Sequence, residues 1–338
     1  MVADLHNDLL LELTWRRHRA RESDVFSRTW LPLLDAGGVR LQVCPMYVDV
    51  DRQPEGSLRE ALGQAAAFHA AVREQPDRVV AIRTADDLDA VERRGAVGLV
   101  LALEGVEPFG YDLYSAEVFW ELGLRMASLT WNRRNPAADG TAEDGDGGLS
   151  LLGRELVDRL VELGVVLDLA HASPRTFADV LARTNDAPVL VSHAACRAVH
   201  DHPRNLTDDQ LQSLAERGGL LGMMLLPLVV DPDRATIDRA IDHLEHAVEV
   251  MGVEHVGLGG DFTARLAAQL PAEPLPPDAL SPPGMGLDAA LEGLSGPEDY
   301  PALAIALQDR GWSEEHAAAV LHRNVLRFFT TALPRSPA

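Results

Sequence analysis

The sequence predicts an α/β fold, a (β/α)8 TIM barrel with extra loops at the C-terminal ends of its strands. Three observations carry this expectation. Eight short apolar runs alternate with longer amphipathic runs between Val2 and Asp261. No linker-like stretch divides the 338 residues, so the whole chain, 1–338, reads as one domain. Several of the apolar runs end in a histidine or a carboxylate, at the end of the strand where a barrel assembles its active site. An open, doubly wound sheet gives a similar alternation, and periodicity alone does not separate the two.

The strands are expected, in order, over Val2–Asp8, Val39–Tyr47, Val97–Glu104, Arg125–Trp131, Val165–His171, Val189–His193, Gly219–Leu225 and His255–Asp261. Each is rich in Val, Leu or Met, bounded by Gly or Pro, and too short to be a helix. Between them the 3.6-residue pattern predicts helices over Ser57–Gln75, Ala85–Arg94, Ala116–Leu122, Leu151–Leu163, Pro174–Thr184, Thr207–Glu216 and Ile237–Met251. Thr207 followed by Gln210 is a capping box. Two loops stand out. Asn135–Gly148, after the fourth strand, is rich in Gly and Asp; Leu270–Gly286, after the eighth, is rich in Pro. Each reads either as a rim of the site or as plain solvated loop.

Composition narrows the function. Hydrophobic residues make up 46% and charged residues 24%, which excludes disorder, collagen and coiled coil. The net charge of −22 repels phosphate backbones and anionic membranes, so neither nucleic acid nor membrane is an expected partner. No apolar stretch approaches a membrane span, and neither end carries a leader or lipid-anchor pattern, so a cytoplasmic protein is expected. Cys44 and Cys196 make no disulfide framework and read as small buried hydrophobes.

The strand ends hold the chemistry. His6 and Asp8, two apart on an extended segment, point the same way and can reach one ion together. Glu104 closes the apolar run from Gly98 to Leu103, which would bury it without a partner unless it met a cation. His171 and His193 end two more apolar strands. Singly, each such residue reads as a hydrogen-bonded structural group. Five at the same end of successive strands read as ligands, with nitrogen and oxygen donors and no thiolate, a set that suits Zn or another borderline divalent metal. They suffice for two ions if Glu104 bridges them. His18, His69, His243, His246, His255, His316 and His322 read as helix-surface or loop residues.

These motifs, in this order and spacing, resemble the membrane (renal) dipeptidase family of zinc peptidases, within the amidohydrolase barrel superfamily. The resemblance runs from Asp4-Leu5-His6-Asn7-Asp8 to Asn324-Val325-Leu326-Arg327-Phe328. It includes Leu103-Glu104-Gly105, Leu167-Asp168-Leu169-Ala170-His171-Ala172-Ser173, Val191-Ser192-His193-Ala194, Pro203-Arg204-Asn205-Leu206 and Gly259-Gly260-Asp261-Phe262. It implies two Zn2+ per chain, one on His6 and Asp8, the other on His171 and His193, with Glu104 bridging. It implies a metal-bridging hydroxide as nucleophile and Asp261 as the acid/base for its proton and for the leaving amine. It implies that Arg204 pairs with the free carboxylate of a small dipeptide, and that the protein forms a homodimer.

One position departs from the family pattern. Eukaryotic members carry after the fourth strand a histidine that polarises the scissile carbonyl, and Trp131 stands there, followed by Asn132. Both are expected at the substrate, yet an indole donates one weaker hydrogen bond and carries no charge. The expected function is a dinuclear zinc dipeptidase acting on L-Xaa-L/D-Xaa. A related amidohydrolase of another amide, a β-lactam or a lactone stays open, as does a catalytically silent metal-binding protein.

Overall fold

The computed structural model of the protein describes residues 1–270, 279–281 and 285–335. Among them are nine strands: β1 (Val2–Asp4), β2 (Val39–Tyr47), β3 (Val79–Ala81), β4 (Val97–Glu104), β5 (Leu124–Ser128), β6 (Val166–Asp168), β7 (Val189–Ala194), β8 (Leu220–Met224) and β9 (Val256–Gly259). All pairings between them are parallel. Eight strands close a ring, because β1 joins β2 to β9 and β2 pairs with β4 from Leu41↔Gly98 to Tyr47↔Glu104. The sheet is the closed (β/α)8 barrel and not the open alternative.

The ninth strand, β3, was not expected. It pairs with the first residues of β4, on the edge that β5 takes over from Leu101 onward. Three residues are too few for a periodic signal.

Alternation along β4 explains how the barrel points side chains at its mouth. Leu99, Leu101 and Leu103 pack outward with the helices, while Val100 and Ala102 belong to the inner cluster with Leu41, Val43, Met126, Val166 and Leu190. Glu104 continues the inner series by two and so points inward. Below, Val325 and Phe329 of the helix Asn324–Ala332 join the same inner cluster.

The predicted helices are found within a residue or so of their expected bounds, and the Thr207 capping box is present with Gln210. The helices Leu9–His18, Val25–Thr29 and Leu31–Ala36 between β1 and β2 were missed. The run Leu9-Leu10-Leu11 has no polar gaps, so the first of them lacks a clear 3.6-residue stripe.

Four predicted strands were too long. The first stops at Asp4, the fourth at Ser128, the fifth at Asp168 and the eighth at Gly259. The segments beyond them turn over the barrel mouth. Of the two long loops, 135–148 is packed: Gly140 bridges to Ala172 and lies so close to Trp131 and Asn132 that a Cβ would stand 2.3 Å from their backbone. Residues 271–278 and 282–284 of the expected Leu270–Gly286 insertion lie outside the described residues.

Candidate metal centre

The turn after β1 is built around a fully buried carboxylate, Asp4. It accepts from the backbone N–H of His6 (3.0 Å) and of Gly260 (2.9 Å), from Asn7 Nδ2 (2.5 Å) and from Tyr300 Oη (2.6 Å). Asn7 in turn donates to Gln42 Oε1 and accepts from Phe262 N–H. This network fixes His6 and Asp8 against the segment that carries Asp261, whose N–H donates to the His6 carbonyl at 2.9 Å. Burial outweighs these bonds and pushes the Asp4 carboxyl up to about 6.

Opposite, β7 carries one extra residue: Val191 pairs with Leu221 but Ala194 pairs with Met223. Such a bulge re-aims a side chain. It lets the neighbours Ser192 and His193 both serve the site. Ser192 Oγ donates to Asp168 Oδ2 (2.5 Å) and accepts from His193 Nδ1 (2.7 Å). On the other ring, His171 Nδ1 is turned to Asn132 Oδ1 at 2.6 Å. His171 and Asp261 both sit in the left-handed region, at φ 65° and 50°. Residues without glycine's freedom pay for that backbone, and such strain gathers at functional sites.

The consequence is a convergence of lone pairs. With the outer nitrogens of both rings engaged by acceptors, His171 Nε2 and His193 Nε2 face each other at 2.8 Å. Glu104 Oε1 lies 2.9 Å from the first and 3.6 Å from the second. Glu104 Oε2 lies 3.7 Å from His6 Nε2, which is 3.8 Å from Asp8 Oδ1 and 3.9 Å from Asp261 Oδ1. Two groups of donors thus form within reach of single ions, His6–Glu104–His193 and His6–Asp8–Asp261. Asp8 Oδ1 is buried with no hydrogen-bond partner among the described residues.

The electrostatics match this geometry. Burial keeps all three imidazoles neutral, with His6 brought down to about 3 and His171 and His193 well below the usual histidine range. Burial, with repulsion from Asp261, raises Asp8 well above the usual carboxylate range; burial, with repulsion from Asp8 and Asp261, does the same to Glu104; and burial raises Asp261 to about 6 against the pull of Arg204. Neutral nitrogen donors beside carboxyls held above their usual range make a donor set that fits divalent cations.

The structure brings together all five expected ligands and Asp261. Arg204 is buried beside them, its Nη2 donating to the His193 carbonyl and standing 3.1 Å from His171 Nε2. Its N–H donates to His202 Nδ1, and His202 Nε2 reaches Leu280 O at 3.1 Å. Trp131 lines the cleft above the centre, its ring 5.9 Å from that of His171. Asn132 also lines it, with a side chain turned to His171.

Sequence reasoning gave no role to Asp4, Asn7, Asp168 and Ser192, which stand inside the quoted motifs, or to Tyr47, which stands outside them. It misplaced His243, which is fully buried, with Nδ1 accepting from Cys196 N–H and Nε2 donating to Val230 O. Among the described residues no helix is long and apolar enough to cross a membrane.

Comparison with known proteins agrees with the site. Residues 1–271 match the profile of the membrane dipeptidase family (peptidase family M19). The dipeptidase aclJ of Aspergillus oryzae is 30% identical over 96% of this chain and 76% of its own length. The dipeptidase verJ of Clonostachys rogersoniana is 31% identical over 82% of this chain, a match spanning 66% of that relative. A metallopeptidase of Rhodobacter sphaeroides, solved with a phosphinate mimic of L-Ala-D-Ala, superposes with a TM-score of 0.82 at 26% identity. That match covers 97% of this chain and 98% of the other.

Proposed function

The chain belongs to the membrane dipeptidase family, and from that premise we infer that it is a dinuclear zinc dipeptidase of small L-Xaa-L/D-Xaa substrates. The observation that carries this reading is the pair of imidazole Nε2 atoms facing each other beside one Glu104 oxygen. His6 and Asp8 would hold one zinc and His171 and His193 the other, with Glu104 shared between them. Bound there, the ions supply Lewis acidity that polarises the amide carbonyl and makes water a competent nucleophile at neutral pH.

The chain's own residues do the rest. Asn132 and the Asp168–Ser192 pair hold the His171 and His193 rings by their outer nitrogens, so the inner lone pairs stay aimed at one place. Asp261, close to His6, takes the proton released by the attacking water and returns it to the leaving amine. Among the described residues Arg204 is the one guanidinium buried among these groups, and its planar fork suits the free carboxylate of a dipeptide. Trp131 forms an apolar wall of the cleft and the side chain of the substrate packs on it.

Metal analysis combined with hydrolysis of a dipeptide panel tests this reading. Two divalent ions per chain and cleavage that requires a free carboxylate beside the scissile bond are expected. Cleavage of β-lactams or lactones with indifference to that carboxylate would move the assignment to another amidohydrolase. Metal without any hydrolysis would leave a binding protein.

A further inference from the structure

Tyr47 ends β2 beside Glu104, its register partner on β4, so the two side chains leave the sheet on the same face. Its backbone is clamped from both sides. The Tyr47 N–H donates to Gln64 Oε1 (3.1 Å), and Gln64 Nε2 donates to the Tyr47 carbonyl (2.5 Å). The ring is half-buried in the cleft wall, 5.5 Å from that of Trp131, which stands next to His171. The phenol is thus held at the edge of the ligand cluster on a rigid strand end.

Its hydroxyl has no hydrogen-bond partner among the described residues. Other neutral polar groups on this wall are engaged: Asn132 with His171, Thr263 with Leu287 O, Gln64 with Tyr47 itself. A half-buried phenol left unpaired, in a cleft where the neighbouring Asn132 and Gln64 amides are spent, is a donor kept for something that enters the cleft.

We propose that Tyr47 is a catalytic residue whose hydroxyl donates a hydrogen bond to the carbonyl oxygen of the scissile amide as negative charge builds there. This rests on the dipeptidase reading. The proton stays on the phenol throughout; burial and the carboxyls of Asp49 and Glu104 hold it there. The bond is weak to a neutral carbonyl and strong to a developing oxyanion, so it acts on the transition state more than on substrate binding.

The test is Tyr47→Phe, which keeps the ring and removes the donor. Tyr47→Phe is expected to lower kcat on a dipeptide by roughly 10²–10³, the usual cost of one oxyanion donor, with KM and metal content scarcely changed. Affinity for a phosphinate analogue of the same dipeptide, whose oxygens mimic the oxyanion, should fall in step with kcat/KM. An unchanged kcat in Tyr47→Phe, or a loss without weaker phosphinate binding, overturns the proposal. If the wild-type protein fails to cleave any dipeptide, the dipeptidase reading falls and this role with it. If it cleaves dipeptides and Tyr47→Phe does so equally well, only the role of Tyr47 falls.

Discussion

His171 Nε2 lies 2.8 Å from His193 Nε2 while both outer nitrogens are bonded to acceptors, so two lone pairs are held face to face. Arg204 Nη2 stands 3.1 Å from the first of them, and a divalent cation between the rings would satisfy both.

Metal content follows directly. The purified protein should carry about two divalent ions per chain, and chelation should lower its thermal stability, because an ion that binds only the folded state stabilises it by mass action. His171→Ala should lose one ion and nearly all activity. Elemental analysis and a melting curve with and without chelator check both. Absence of metal together with no response to added zinc would be fatal to the dinuclear reading.

Removing the partner behind a ligand should loosen the metal without removing a ligand. Ser192→Ala takes away the oxygen that links His193 Nδ1 to Asp168. Partners of this kind typically contribute about 10- to 100-fold in metal affinity. Competition with a chelator of known strength reads that factor; wild-type retention in Ser192→Ala would show the link to be ornamental.

Asp261→Asn keeps the shape of the side chain and removes its basicity. Turnover should fall by roughly 10²–10⁴ with metal content little changed. Near-normal kcat in this variant would sink the acid/base role.

Arg204 separates carboxylate recognition from simple support. Arg204→Ala should lower kcat/KM for a dipeptide by about 30- to 5,000-fold, corresponding to roughly 2–5 kcal/mol for a buried charge-assisted pair. The C-terminal amide of the same dipeptide should lose much less. Because Arg204 also bonds the His193 carbonyl, some common loss is expected on both substrates. Equal losses would mean that support of β7 is its whole contribution.

Outside the cluster of expected ligands, His243 should make the fold acid-sensitive. It is buried and neutral, brought from 6.5 down to about 4 chiefly by burial. The unfolded chain therefore binds a proton that the folded chain refuses between those values, and stability falls as the pH drops from 6.5 toward 4. The difference of 2.5 units amounts to roughly 3 kcal/mol at about 1.4 kcal/mol per unit. Urea midpoints at several pH values should show this slope in the wild type and a shallower one in His243→Gln. Parallel slopes would assign the acid sensitivity elsewhere.

The barrel and the cluster of histidines and carboxylates at its mouth were legible in the sequence because both rest on local pattern. Val100, Ala102 and Glu104 follow a two-residue period, and a carboxylate at the end of an apolar strand is conspicuous. The bulge in β7 was not legible, since an extra residue shows only against the partner strand. The left-handed turns at His171 and Asp261 were hidden for a related reason: both residues looked like the last of their strands, and neither is a glycine. His243 was misread because a histidine on a helix reveals its environment only through what packs on it, here Cys196 and Val230 from other elements. Tyr47 gave no signal, as a tyrosine at a strand end is ordinary core material.

The ring closes where β1 meets β9, so Val2–Asp4 waits for Val256–Gly259 before its second neighbour exists. On a ribosome adding 5–20 residues per second, that wait is roughly 13 to 50 s. Glu104, His171 and His193 have all emerged by then, and His6 was among the first residues made, yet Asp261 and the Gly260 N–H that steadies Asp4 arrive last. The nascent chain therefore holds its donors on unsealed sheet until the final strand docks. Any ion that needs all of these donors can be held only once synthesis has passed the ninth strand.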